Sequence, residues 1–192
     1  MKNICFFLFI PVLFIFLSTV SFTETRADDE ILDATRHLER YSKVNDEPHY
    51  MPPPMAVACA PASPVGSNNQ PDPHQSKYLN VYVNEKGFSE MTGKKKPSFP
   101  VGTMIIKEKM TKQGDASKST FSPAEFFTIM IKREKGYNPA CGDWEFASVE
   151  AKTAKVTRGK IASCMSCHVN YKETDLVYRS NYLGEKYAKS LQ

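Results

Sequence analysis

The chain has 192 residues, with 25 Lys and Arg against 21 Asp and Glu, for a formal charge of +4. So mild an excess names no class of partner. The sequence shows no glycine-rich phosphate loop, nucleophile triad or nucleic-acid-binding pattern, so nucleotide-dependent, triad-hydrolase and nucleic-acid-binding proteins are set aside.

The N-terminus reads Met1-Lys2-Asn3, then an apolar run from Ile4 to Leu17, then a polar stretch. That is the pattern of a secretory signal, with cleavage expected after Ala27, although Thr25 is a mediocre small residue at the −3 position. The run is shorter than the ~20 residues that span a bilayer comfortably, which leaves an uncleaved anchor as the lesser reading. Cys5 comes too early, and without small neighbours, to be a lipidation site. Removing residues 1–27 takes away Lys2, Arg26 and Glu24 and leaves a length suited to a single domain. Within it, residues 28–77 form an N-terminal helix and a proline-rich segment, and residues 78–192 carry the rest of the fold.

Residues 28–44 read as an amphipathic helix, opened by Asp28 and Asp29 and carrying Ile31, Thr35, Leu38 and Tyr41 on one face. Residues 48–75 are proline-rich and irregular, and hold Cys59 in the apolar patch Met55–Ala60. This segment wraps a surface or lines part of a cofactor pocket. From Tyr78 the period changes. Tyr78–Val83 is a strand by its β-branched and aromatic content, and Asn84 caps a short helix through Met91. Gly93–Pro100 is a loop; its Lys94-Lys95-Lys96 run reads as solvated rather than as an anion site. Thr103–Met110 is a second strand, with Thr103, Ile105, Lys107 and Lys109 on one face and Met104, Ile106, Glu108 and Met110 on the other. After a polar loop at Gln113–Thr120 come a third strand at Phe126–Lys132, a turn at Gly136–Asp143 and a fourth strand at Trp144–Val149. In the last, Trp144, Phe146 and Ser148 alternate against Glu145, Ala147 and Val149. Residues 158–170 read as helical. The class is α+β, predominantly an antiparallel sheet with a few helices packing on it.

That last helix carries Cys164-Met165-Ser166-Cys167-His168, a C-x-x-C-H motif. Two thiols at this spacing can form thioethers to the two vinyl groups of one haem, with the adjacent imidazole as axial ligand to iron. Export fits this chemistry, because c-type haem is attached outside the cytoplasm in bacteria. A zinc site would need a second ligand pair, and Cys59, Cys141, His37, His49 and His74 show no such spacing. A thioredoxin-like dithiol would follow a strand in a βαβ unit, which the chain lacks. The reading is a mono-haem c-type cytochrome. No methionine follows His168, so a sixth ligand would have to come from Met104, Met110 or Met130. Methionines on strands are more often core residues, and an open distal position is the preferred reading. Strands in mid-chain speak against a four-helix cytochrome c-prime.

Several stretches resemble the cytochrome P-460 family, which also holds the cytochromes c-prime beta. They are Val81-Tyr82-Val83-Asn84; Phe99-Pro100-Val101-Gly102-Thr103 running into Ile106-Lys107-Glu108; Gly142-Asp143-Trp144-Glu145-Phe146; Cys164–His168; and Asp175-Leu176-Val177-Tyr178. The resemblance implies a β-rich, dimeric protein with a five-coordinate haem c and a distal pocket. It also implies that Lys107, in the Gly-Thr-x-x-x-Lys-Glu segment, is cross-linked to the haem edge. A lysine on a half-buried strand face needs some such reason to be there. Hydroxylamine-oxidising members carry a distal arginine, where this chain has Leu79, and a proton-relaying glutamate, where it has Thr128. Glu125 or Glu134 could serve for the glutamate under a small gap.

The leading expectation is a periplasmic haem oxidoreductase acting on hydroxylamine or another small nitrogen compound and passing electrons to an external acceptor. Against it stand a gas-binding protein that captures nitric oxide without turnover, and a simple electron carrier. Cys59 and Cys141 either pair or stay as separate thiols. Trp144 and Phe146 read as core or haem-packing residues. His74 reads as a surface residue, and His37 and His49 carry no signal.

Overall fold

The structure is a computed structural model, and it describes residues 19–51, 77–93, 95–113, 120–180 and 182–191. Helix α1 spans Thr19–Arg36. Two short strands follow, β1 at Ser42–Lys43 and β2 at His49–Met51. Then come β3 at Lys77–Val83, α2 at Glu85–Gly93 and β4 at Met104–Met110. The small ribbon β5 (Lys112–Gln113) and β6 (Thr120–Phe121) leads to β7 at Phe126–Lys132 and β8 at Trp144–Glu150. Strand β9 spans Lys155–Gly159, α3 Ala162–His168 and α4 Glu185–Ala188.

Seven strands form one antiparallel sheet in the order β1-β3-β4-β7-β8-β9, with β2 sharing the outer edge of β3 with β1. The α+β class therefore holds. The four central strands follow from period-two alternation, because each has two faces and each face has its own core. On one face lie Leu79, Val81, Ile105, Met130, Trp144 and Phe146, packed with the C-terminal residues Leu176, Val177 and Tyr182. On the other lie Met104, Ile106, Phe127, Ile129, Ile131 and Val149, covered by Ile31 and Ala34 of α1. The alternation expected for Thr103–Met110 and for Trp144–Val149 is the one found.

Helix α1 departs from its expected span. It stops at Arg36 instead of reaching residue 44, and Leu38–Arg40 form a 3-10 turn. Ser42 and Lys43 pair with Val83 and Tyr82, so hydrogen bonds on an open sheet edge displace further helix. Between the two edge strands, Asn45 stands in for a strand residue. Its side chain accepts from Val81 N–H at 2.9 Å and donates to Leu79 O at 2.9 Å. Among the described residues, no helix is long and apolar enough to cross a membrane. The Ile4–Leu17 run, the patch around Cys59, His74 and Lys94 lie outside the described residues.

Asn84 caps α2 as expected, its Oδ1 accepting from Gly87 N–H at 3.3 Å. The same oxygen accepts from Met104 N–H at 3.1 Å, which ties the helix start to β4. At the far end of α2, the buried guanidinium of Arg179 donates to Glu90 O at 2.8 Å, Met91 O at 2.9 Å and Lys95 O at 3.0 Å. These bonds satisfy carbonyls that a helix terminus leaves open, and they fasten the C-terminal segment over the first face of the sheet. Strand β9 was not expected. Its sequence, Lys-Val-Thr-Arg-Gly, is charged, with Lys155 and Thr157 exposed and the other three residues half-buried, as suits an edge strand.

Candidate functional site

One cavity of about 870 Å³, counted out to its mouth, lies between the first face of the sheet and α3. Strand alternation aims Leu79, Ile105, Lys107, Lys109, Thr128, Met130 and Phe146 into it. From the opposite side come Cys164, Cys167 and His168, and Tyr171, Tyr178 and Tyr182 complete the wall. The residues singled out in the sequence therefore meet in one place, although Leu79 and His168 are 89 positions apart.

His168 is set by its surroundings. Its Nδ1 lies 2.7 Å from the backbone carbonyl of Leu176, so Nδ1 carries the proton and donates it. Nε2 keeps its lone pair. Burial, helped by the positive charge of Lys107 and opposed by the Leu176 carbonyl, lowers the imidazole pKa to about 4. The ring packs on Phe146 with centroids 5.2 Å apart. A neutral imidazole with Nδ1 occupied and Nε2 available is the form a metal-bound histidine takes.

Cys141, Cys164 and Cys167 are thiols rather than disulfides. Burial raises the Cys164 pKa against the nearby charges of Lys109 and Lys107, so the group is a neutral thiol at neutral pH. Cys141 is buried in the same core as Cys164, and its pKa is also raised by burial. Its suggested partner Cys59 lies outside the described residues. Among the described residues, no group of three or more His, Cys, Asp or Glu gathers to hold a metal ion. A zinc site built on Cys164 and Cys167 thus finds no second ligand pair there.

Lys107 is half-buried, and its ammonium lies 4.6 Å from the Tyr182 ring centroid and 6.0 Å from that of Tyr178. Lys109, two residues on, is fully buried and faces the same cavity. The sequence reading passed over it as a site residue, although alternation alone puts it beside Lys107. His49 was also passed over. It meets Tyr182 edge-on at 5.1 Å, and its pKa is lowered by burial and then by Lys107.

The alternative carboxylates do not reach the cavity. Glu125 is held by Lys77 and by Thr111 Oγ1 at 2.5 Å, and Glu134 lies in the exposed loop after β7. Among the described residues, no carboxylate lines the cavity. Of the methionines considered as iron ligands, Met104 and Met110 sit on the other side of β4. Met104 Sδ accepts from Tyr41 Oη–H at 3.4 Å, and Met110 Sδ lies 3.9 Å from Asn80 Nδ2. Met130 does line the cavity, as does Met51.

A mostly apolar cavity facing two closely spaced thiols and an imidazole with one nitrogen already engaged has the donor set and lining that suit a haem. The family model described as Cytochrome P460 matches residues 62–179, and the chain belongs to that family. None of the curated proteins compared with the chain matches it.

Proposed function

We propose that this is an exported, periplasmic mono-haem c-type oxidoreductase that oxidises hydroxylamine to nitric or nitrous oxide. The observation that carries this reading is the gathering of Cys164, Cys167, His168 and Lys107 around one cavity. Cys164 and Cys167 would hold the haem as thioethers, and Nε2 of His168 would supply a nitrogen ligand to its iron. When bound, haem supplies an open coordination position and a route for electrons to an external acceptor.

The remaining work falls to the protein. Leu79 and Thr128 face the space where a small nitrogen compound sits. Lys107, whose ammonium Tyr182 positions, is the amine that would be joined to the ring edge and so tune its electronics. A second copy of the chain completes a homodimer, as the family resemblance implies. The absorption spectrum of the reduced holoprotein, with intact mass on the same sample, tests this reading. A strongly red-shifted Soret band with one covalent haem supports it, and a chain without haem defeats it.

A second reading, capture of nitric oxide without turnover, is favoured by one observation: no carboxylate lines the cavity among the described residues. Shedding protons from hydroxylamine is slow without a base. Steady-state hydroxylamine oxidation with an artificial acceptor separates the two readings. An electron carrier would place Met130 on the iron, and a ferrous protein that fails to bind carbon monoxide would identify it.

A further inference from the structure

The turn after α3 holds two consecutive non-glycine residues with left-handed backbone, Asp175 at φ 50° and Leu176 at φ 64°. Side chains disfavour this region, leucine more than aspartate, so such a pair persists only where the surroundings over-determine it. Here they do. The Asp175 carboxylate accepts from Phe99 N–H at 2.8 Å and from Lys132 Nζ at 2.7 and 2.8 Å. The Asp175 carbonyl accepts from the Trp144 indole N–H at 2.8 Å. Leu176 N–H donates to Tyr171 O at 2.9 Å, and the Leu176 side chain is packed over Gly142. A Cβ at Gly142 would come within 3.1 Å of Leu176 Cδ1 and 3.3 Å of Asp175 Oδ1. The anchors come from the loop before β4, the end of β7 and the start of β8. The sheet itself therefore dictates how this turn is aimed.

What the turn aims is the Leu176 carbonyl, 2.7 Å from His168 Nδ1. We infer that Asp175 and Trp144 are positioning residues that clamp the Leu176 carbonyl onto His168 and thereby set the donor strength of the imidazole toward iron. A hydrogen bond accepted from Nδ1–H raises the basicity of Nε2 and lowers the reduction potential of the bound metal. The inference rests on the proposed reading that His168 is the axial ligand.

Trp144→Phe removes the indole N–H while keeping an aromatic ring, and Asp175→Asn removes the charge that holds Lys132. Ile31→Ala, on the far face of the sheet, serves as a destabilised control. In each ferrous holoprotein the iron–histidine stretching band is read by resonance Raman, and the midpoint potential is measured. The expected result is a lower stretching frequency and a higher potential in both clamp variants. The control should lose thermal stability while keeping the unmodified protein's band and potential. Should one clamp variant fail to fold, the other decides. An unchanged band and potential in a folded clamp variant would overturn the clamp while leaving axial ligation intact. Absence of an iron–histidine band in a five-coordinate, high-spin ferrous form of the unmodified protein would overturn the axial assignment, and the clamp with it.

Discussion

Lys107 and Thr128 stand directly opposite one another on β4 and β7, and both face the cavity. Directly opposed residues bring their Cβ atoms to within about 5.5 Å. Any group at position 128 therefore works in the same small volume as the lysine amine. Val81 flanks Lys107 on its other side, so the lysine is bordered by one apolar and one hydroxyl side chain.

Thr128→Glu places a carboxylate where the described lining has none. Hydroxylamine oxidation with an artificial acceptor should rise about a hundredfold, the lower end of what a positioned general base contributes. An unchanged rate would mean that proton removal does not limit turnover.

Lys107→Met should return the reduced Soret band to an ordinary c-type position and lower hydroxylamine oxidation by about tenfold or more, because the ring loses its tuning group. Lys109→Met should leave the red-shifted band in place. Spectra of the two variants side by side check which amine modifies the ring. A red shift that survives Lys107→Met would rule out Lys107 as the modifying amine.

The pH response of His168 has a definite sign. Its folded pKa, about 4, lies below the ordinary histidine value of 6.5, with burial as the main cause. The unfolded chain thus binds more protons between those values. The contribution of the neutral ring is complete above pH 6.5 and is lost as pH falls through about 4. The His168 ring of the haem-free protein should accordingly stay neutral from pH 8 to pH 5 in an NMR titration. A transition centred near 6.5 would contradict the burial.

Arg179→Ala should cost about 2–4 kcal/mol, since three carbonyls lose a charged donor in a buried setting. Thermal unfolding measures the loss. The Soret position should not move, because the guanidinium binds the end of α2 and not the cavity wall.

The central sheet was legible because period two fixes both the faces and the ends of β3, β4, β7 and β8. What escaped was held by pairing rather than by pattern. Strand β9 is a charged edge that forms only because β8 offers it partners, with Val149 opposite Val156 and Ala147 opposite Arg158. The early end of α1 depends likewise on the open edge of β3. At the site, the C-x-x-C-H motif and Lys107 were visible as residues, and the structure brings them to one cavity. The contact of Tyr182 with Lys107 could not, because it joins residues 75 positions apart. Nor could the role of Leu176, since a backbone carbonyl has no side-chain signature. Asp175-Leu176 carries no sequence signal beyond its family resemblance, because nothing in composition or period marks a left-handed backbone.

Chain order also has a consequence for maturation. The last strand of the sheet ends at Gly159, and the first thiol of the C-x-x-C-H motif is Cys164. The strands that bring Leu79, Lys107 and Thr128 to the cavity therefore precede that motif in sequence, while Tyr178 and Tyr182 follow it. The far side of the sheet, sealed by Ile31 and Ala34, owes nothing to a cofactor. A haem joined at that motif would then meet sheet residues already made and be enclosed by the segment that carries Leu176 and Tyr182.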